Sequence, residues 1–339
     1  MVPPASSTPF HLPQADVLRV GMILPLKKAR KGRMQELLMS QADGVHVVHV
    51  DLDLVDSADD IDAMYGHLDV LLHKLAHDMV FESLGEAKSI KNMRTMKEYI
   101  AKHPHIRIVD PLDGVRLLTN RQDVCVMLAA LAKSSGLAFS IPNYAIIDSI
   151  EAKEAAIADI NSGKLRLPVM AKSLEACGTD ASHLMQVITR IEDIQALEIQ
   201  RPIMLQEYIN HDGRLYKGYV LGKDVIVSER TSLPNLQENV SSPVEFDTQK
   251  AFPTAASFDL PVSPKHESKG ITQEMQDSIQ AIGRAIQRAT HLSLFGFDVI
   301  IESRDQRELV IDVNYFPSFK ELDDFDAKMR AHLKVNEMC

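Results

Sequence analysis

Apolar residues along the first hundred positions come in short runs separated by stretches with helical spacing. Val17–Leu24, Val45–Val50 and Leu68–Leu75 read as buried strands, and Ile106–Val109, stopped by Asp110 and Pro111, reads as one more. Arg33–Met39 and Ser89–Lys102 carry helical patterns between them, and this βαβ alternation predicts a small parallel sheet. Further on, Arg121–Lys133 predicts a helix ended by Gly136, followed by a strand at Tyr144–Ile147, a helix at Glu151–Ile160 and a strand at Leu167–Lys172. Ile203–Tyr208, Leu215–Leu221 and Asp224–Glu229, with turns at Asp212-Gly213 and Gly222-Lys223, predict an antiparallel meander. Ser241–Lys269 is rich in Ser, Pro and charge and reads as a long loop. Thr272–Ala289 places Ile279, Ile282 and Ile286 on one helical stripe, and Leu294–Ile301 with Leu309–Val313 forms a hairpin across a polar turn at Ser303–Arg307. The expectation is a flexible start (1–16), a parallel α/β domain (17–118) and a mixed α+β unit (119–339), joined near Leu118–Thr119.

Composition narrows the function classes. Hydrophobic residues are 45% of the chain and charged ones 25%, the balance of a globular protein. The longest apolar run, Val124–Ala132, is too short to cross a bilayer, and the first residues lack the basic start and apolar core of a secretory signal. Cys125, Cys177 and Cys339 are too few and too scattered for a disulfide framework, so a cytoplasmic protein is expected. The net charge of −10 argues against nucleic-acid binding, but screening lets a local basic pocket dominate over distant charges. Lys27, Lys28, Arg30, Lys31 and Arg33 crowd the loop after the first strand, where a parallel sheet gathers ligands. The bland alternatives for this run are a solvated helix start or a nuclear-localisation patch. Lys74 ends the third strand and converges on the same mouth. No exposed heptad or apolar patch is legible, so a monomer is the default.

The terminal hairpin carries the sharpest chemistry. Asp298 stands alone in an apolar strand, and Asp312 with Asn314 stands in the next. Alternation puts Asp312 and Asn314 on one face, and pairing of the strands lets Asp298 join them. Three hard oxygen donors suit Mg²⁺, with phosphates and water completing the shell. Solvated strand-end acids are the bland alternative, but an unpaired carboxylate in an apolar strand is costly and a cation removes that cost. Lys172, at a strand end, suits a phosphate, and the loop Glu175–His183 suits a flap over it. Gln206–Gly213 runs from a strand into a turn whose backbone can offer its N–H and C=O groups to a base edge. Arg230 adds a cation at another strand end.

In order and spacing the motifs VGMILPLKK, LLHKL, DPLDGVRLLTNR, LPVMAK…SH, QEYINHDGRLYK, ERTSLPN, LFGFDVII and VIDVNYFPS resemble the inositol 1,3,4-trisphosphate 5/6-kinases, also called inositol-tetrakisphosphate 1-kinases, over about Val20–Phe319. Plant-type members are the most similar. The resemblance implies an N-terminal inositol-phosphate-binding domain followed by an ATP-grasp unit of two α+β subdomains with antiparallel sheets. It implies ATP and two Mg²⁺ ions, one on Asp298 and Asp312 and the other on Asp312 and Asn314. Arg121 and Lys172 would contact ATP phosphates. Gln206, Glu207, Tyr208, Ile209 and Lys217 would line the nucleotide site together with Ser232. Lys28, Lys74, His183, Lys217, Arg230 and Asn314 would grip the inositol polyphosphate, which would receive the γ-phosphoryl group directly. Three positions depart from the family pattern: Ser318 where many members have Gly, Cys177 in the flap, and Gly218 after the lysine, which is expected to loosen its strand. An ATP-grasp carboxylate–amine ligase and a non-catalytic inositol phosphate binding module are the competing readings.

Overall fold

The structure is a computed structural model that describes residues 17–25, 29, 32–39, 41–261 and 270–335. The basic residues Lys27, Lys28, Arg30 and Lys31 and the N-terminal segment therefore lie outside the described residues.

The chain opens with β1 (Leu18–Ile23), α1 (Gly32–Met39), β2 (Val45–His49), α2 (Ala58–Tyr65), β3 (Val70–His73), α3 (Ala76–Ser83), α4 (Ala87–Lys102) and β4 (Arg107–Val109). The four strands pair in parallel in the order β2-β1-β3-β4, as the βαβ pattern predicts. Sequence reading missed α2, although Ser57 and Asp60 close a reciprocal capping box at its start. Next come α5 (Leu112–Leu117), α6 (Arg121–Ser134), β5 (Phe139–Ser140), β6 (Tyr144–Ile147), α7 (Ile150–Asn161), β7 (Val169–Ser173), β8 (Leu184–Ile188), α8 (Ile191–Gln195) and β9 (Ile203–Glu207). The chain ends with β10 (Arg214–Leu221), β11 (Asp224–Thr231), β12 (Val244–Asp247), α9 (Gln273–Thr290), β13 (Leu294–Ile301), β14 (Glu308–Tyr315) and α10 (Phe325–Lys334). Among the described residues no helix is long and apolar enough to cross a membrane.

Two further five-stranded sheets hold the rest, in the orders β12-β8-β7-β9-β6 and β11-β10-β13-β14-β5. This corrects the expected meander. β10 and β11 do form a hairpin, but β9 pairs with β6 and β7 in the other sheet. Asp212 and Gly213 both take left-handed backbone, at φ 53° and 65°, and turn the chain from one sheet to the other. The stretch expected to be loop, Ser241–Lys269, contributes β12, which pairs antiparallel with β8.

One hydrophobic core joins the parallel sheet to the β11-β10-β13-β14-β5 sheet, running from Val20, Met22 and Leu72 through Tyr216, Phe297 and Ile286 to Met329. The central sheet keeps smaller cores of its own, around Val169 and Leu205 on one face and Val187 and Phe258 on the other. Ile279, Ile282 and Ile286 of α9 are buried as their spacing predicts. Gly218 does not loosen β10. Its partner Phe297 lays its ring over it, so a Cβ there would stand 2.3 Å from ring carbons, and the same ring lies 2.9 Å from a Cβ placed at Gly283. The two glycines form a slot for one aromatic ring, and ladder pairing to β11 and β13 continues through Gly218.

A buried polar network ties the parallel sheet to β13 and α10. His73 donates from Nε2 to the Asp110 carbonyl at 2.6 Å, and Tyr315 donates to the His73 carbonyl at 3.0 Å. Ser293 donates to the Asp110 carboxylate at 2.5 Å, which leaves His332 Nε2, 2.7 Å away, to donate to the serine oxygen. Burial pushes His73 down to about 4 and Asp110 up to about 6; burial and then Arg107 push His332 down to about 4.

Gly218→Val should cost about 3 kcal/mol by overpacking, read as a lower urea midpoint, with partial recovery when Phe297→Leu is added. The buried network sets a pH dependence. Below an unfolded histidine pKa of about 6.5, the unfolded chain takes up protons that folded His73 and His332 refuse until about 4, so stability falls across that window. Asp110 acts in the opposite sense, because the folded state protonates first, and one such group does not cancel two. The thermal midpoint should therefore drop between pH 6.5 and 4, and less steeply in His332→Gln.

Candidate active site

Strand register builds the site. Lys217 of β10 lies opposite Asp298 of β13, which lies opposite Asp312 of β14, so three charged side chains form a row across neighbouring strands. Asn314 follows on the same face, opposite Gly296. The β13–β14 register shifts at Asp298/Val299, leaving Ile311 as the extra residue between Val310 and Asp312. The bulge returns Val310 to the core beside Val299 while Asp312 keeps the open face. Below the row, Leu215, Ile300 and Leu309 form a small apolar floor with Ile209 and Ile311.

Lys217 donates to Asp298 Oδ1 at 2.7 Å, and Asn314 donates to Asp312 Oδ2 at 2.7 Å. The opposing wall comes from α6 and the central sheet. Asp312 shares a small pocket with Arg121, Cys125, Lys172 and Gln206. Lys172 is only 7% exposed and donates to Gln206 Oε1 at 2.7 Å. Burial lowers the Lys172 pKa, with Asp312 acting against the shift. For Asp312 burial alone would raise the pKa, but Arg121 and Lys172 outweigh it and hold the carboxyl below its usual range. Lys217 ends up raised: burial works against its charge, and Asp298 more than compensates. With Lys172 and Arg121 counted beside the row, three cations face two carboxylates, and the cluster carries a surplus of positive charge.

Arg121 does more than line this pocket. Its guanidinium donates to the carbonyls of Ser173 and Glu175, both at 2.7 Å, and of Ser182 at 3.0 Å, gathering both ends of the flap. Its Nε has no hydrogen-bond partner among the described residues. The flap rests against α3, where Gly178 comes close to Val80 and Phe81. His183 closes the flap just before β8.

The remaining predicted residues divide by what their side chains touch. The Glu207 carboxylate is taken by Asn143 at 3.1 Å and by Arg166 at 3.0–3.2 Å, and its backbone N–H donates to the Asn143 carbonyl at 2.8 Å. Tyr208 donates to the Pro234 carbonyl at 2.6 Å, and Ser232 pairs with His211 at 2.8 Å, so both brace the connection between the sheets. Lys74 donates to the Phe316 carbonyl, just beyond Asn314. Arg230 donates to Tyr219 at 2.6 Å and pairs with Glu321. Lys28 lies outside the described residues. Tyr219, Gln206 as the lysine's partner, and Glu321 are the contributions that sequence reading left without a role. Tyr219 was legible as Lys217+2 on the same strand face; Glu321 carries no local signal.

The donor set fits a divalent cation. Two carboxylates and an amide are hard oxygen ligands, and like charges directly opposite in a sheet repel unless a cation lies between them. Among the described residues no group of three His, Cys, Asp or Glu side chains forms a closed metal cage. An ion here would take part of its shell from a ligand's oxygens.

Residues 19–115 match the family described as the inositol 1,3,4-trisphosphate 5/6-kinase pre-ATP-grasp domain, and residues 134–335 match the ATP-grasp domain of that name. Inositol-tetrakisphosphate 1-kinase 6 of Oryza sativa subsp. indica is 27% identical over 271 residues, covering 76% of this chain and 49% of the relative, so the match spans about half of that protein's length. Inositol-tetrakisphosphate 1-kinase of Xenopus laevis is 29% identical over 329 residues, covering 93% and 78%, and inositol-tetrakisphosphate 1-kinase 1 of Zea mays is 32% identical over 239 residues, covering 67% of each. Plant and animal relatives thus both match. Among solved structures, the RimK domain protein ATP-grasp from Sphaerobacter thermophilus superposes with a TM-score of 0.59 at 16% identity, covering 94% of this chain and all of that one. The fold is an ATP-grasp fold.

Arg121→Ala should release the flap. Amides of residues 174–183 should exchange hydrogen about tenfold faster or more, since the loop loses three charge-assisted hydrogen bonds, while amides of β13 and β14 keep their protection.

Proposed function

This chain belongs to the inositol 1,3,4-trisphosphate 5/6-kinase family, and from that premise we propose that it transfers the γ-phosphoryl group of ATP to a free hydroxyl of an inositol polyphosphate. The acceptors proposed are inositol 1,3,4-trisphosphate, at position 5 or 6, and inositol 3,4,5,6-tetrakisphosphate, at position 1. The observation that carries this reading is the row Lys217–Asp298–Asp312 with Asn314, whose Asp312 shares a pocket with Lys172 and Arg121.

Phosphoryl transfer asks a protein for in-line positioning and for charge aimed where charge develops. The acceptor hydroxyl forms a bond to the γ-phosphorus as the bond to the bridging oxygen of ADP breaks, and the hydroxyl proton leaves to solvent. Asp298, Asp312 and Asn314 would hold two Mg²⁺ ions, which supply neutralisation of the phosphate charge. Lys172, already desolvated and fixed by Gln206, points a cation at the donor's phosphates. The apolar floor around Ile209 and Ile300 gives the base a dry surface. The N–H groups of Glu207 and Tyr208 already serve the Asn143 and Pro168 carbonyls, so the base edge would meet the backbone at Ile209, just beyond them. Lys74 and Arg230, with His183 on the flap, surround the acceptor's phosphates. Their binding energy orients the reacting hydroxyl, a contribution that can reach several kcal/mol.

Incubation with ATP, Mg²⁺ and a panel of inositol phosphates should yield ADP and a more highly phosphorylated inositol in equal amounts. Asp298→Asn should lower kcat by about a hundredfold or more with its circular dichroism spectrum unchanged. ADP release without an inositol product, or a wild-type rate in the variant, would overturn the reading.

A further inference from the structure

The loop that follows β14 reaches back over the acceptor side of the site. Phe316 and Phe319 hold left-handed backbone, at φ 45° and 47°, where non-glycine residues seldom sit. Both rings are buried, at 2% and 0% exposure, so packing fixes the loop's course despite that cost. Cations of the parallel domain hold it from the other side: Lys74 donates to the Phe316 carbonyl, and Arg33 to the carbonyls of Lys320, at 3.0 Å, and Leu322. A loop held at so many points gives Glu321 a defined position, and there its carboxylate pairs with Arg230.

Arg230 lies on the open face of the sheet. It is two residues beyond Ser228 on β11, and Ser228 stands opposite Lys217. Arg230 also donates to Tyr219, whose ring lies 6.0 Å from the Lys217 ammonium. The Arg230–Glu321 pair is part-exposed, with side-chain accessibilities of 38% and 30%, and such pairs contribute little to stability. Its consequence falls on whatever anion approaches: an arginine available to phosphate is already half-neutralised, and a fixed negative charge stands next to it.

Building on the kinase reading, we propose that Glu321 is a specificity-determining residue of the acceptor cleft. By pairing with Arg230 it withdraws one cation from the acceptor and limits how many phosphates the ring carries into the site. It acts through Arg230 and touches no reacting atom.

The test compares kcat/KM for inositol tris-, tetrakis- and hexakisphosphates in wild type and Glu321→Gln. Removing one charge a few ångströms from a phosphate should raise the hexakis-to-tris ratio about tenfold. The acceptor KM should move while the ATP KM stays put, Glu321→Asp should keep the wild-type ranking, and Glu321→Gln should have no effect on the ranking in an Arg230→Gln background. Calorimetric titration with inositol hexakisphosphate reads the same charge without turnover, and its Kd should tighten about tenfold in Glu321→Gln. An unchanged ranking and Kd in that variant, or an equal loss for every acceptor with a lowered Tm, would overturn the proposal. An inactive wild type would instead sink the kinase reading, and the titration would still decide the role of Glu321.

Discussion

Two carboxylates set directly opposite one another on neighbouring strands repel, and much of the architecture around Asp298 and Asp312 answers that repulsion. Lys217 continues the row on the third strand and bonds Asp298 directly. Lys172 and Arg121 approach from another sheet and from the start of α6, and their charges hold Asp312 ionised against burial. Two of these cations sit there at a cost, since burial works against the charge of both Lys172 and Lys217. The arrangement is thus a cluster in which each charge is tolerable only because of the others. It carries a surplus of positive charge, and a polyphosphate with its counter-cations would relieve both the repulsion and the surplus.

The distribution of core packing matches that role. The parallel domain and the sheet bearing Asp298 share one continuous core, reinforced by buried cations on carbonyls, such as Arg330 of α10, which is fully buried and reaches the carbonyls of Leu37 and Val45. The central sheet that carries Lys172 has only its own smaller cores, and the chain passes from it to β10 through a connection turned by Asp212 and Gly213. Lys74 and the row at Asp298 are therefore fixed relative to each other. Lys172 belongs to a unit joined to them by the Arg121 side chain, by backbone bonds between 119–121 and 174–176, by the Tyr208 and Ser232 contacts and by the apolar patch around Ile209. A tightly packed interior transmits displacement as a rigid body, so on the proposed reading any change on ligand binding would concentrate at that seam.

Much of this was legible in the sequence, and the limits were physical. The hairpin could be read because period-two alternation forces Asp312 and Asn314 onto one face whatever the surroundings. The bulge could not, because Ile311 looks like any other strand residue, and the pairing partner decides which residue is extra. Apolar runs announced β9, β10 and β11, but adjacency in sequence suggested a meander where two left-handed residues send the chain to another sheet. Gly218 looked like a defect from its own strand. Only the neighbouring Phe297, nearly eighty positions away, turns the missing side chain into space for a ring. Glu207 shows the converse limit: the resemblance placed it in the nucleotide site, but only the fold brings in Arg166 and Asn143 to occupy its carboxylate.

The proposed polyanionic ligand is compatible with the net charge of −10. Charges more than about 8 Å apart across solvent are largely screened at physiological salt, so the diffuse negative surface hardly touches the pocket's own balance. Inside the pocket, burial weakens that screening and a few cations dominate. The acidic surface still acts at longer range during encounter at low salt, where it disfavours large polyanions that cannot fit the cleft. On the proposed reading a compact polyphosphate would gain from the local field, and selectivity by charge density would follow from where the cations are buried rather than from how many the chain contains.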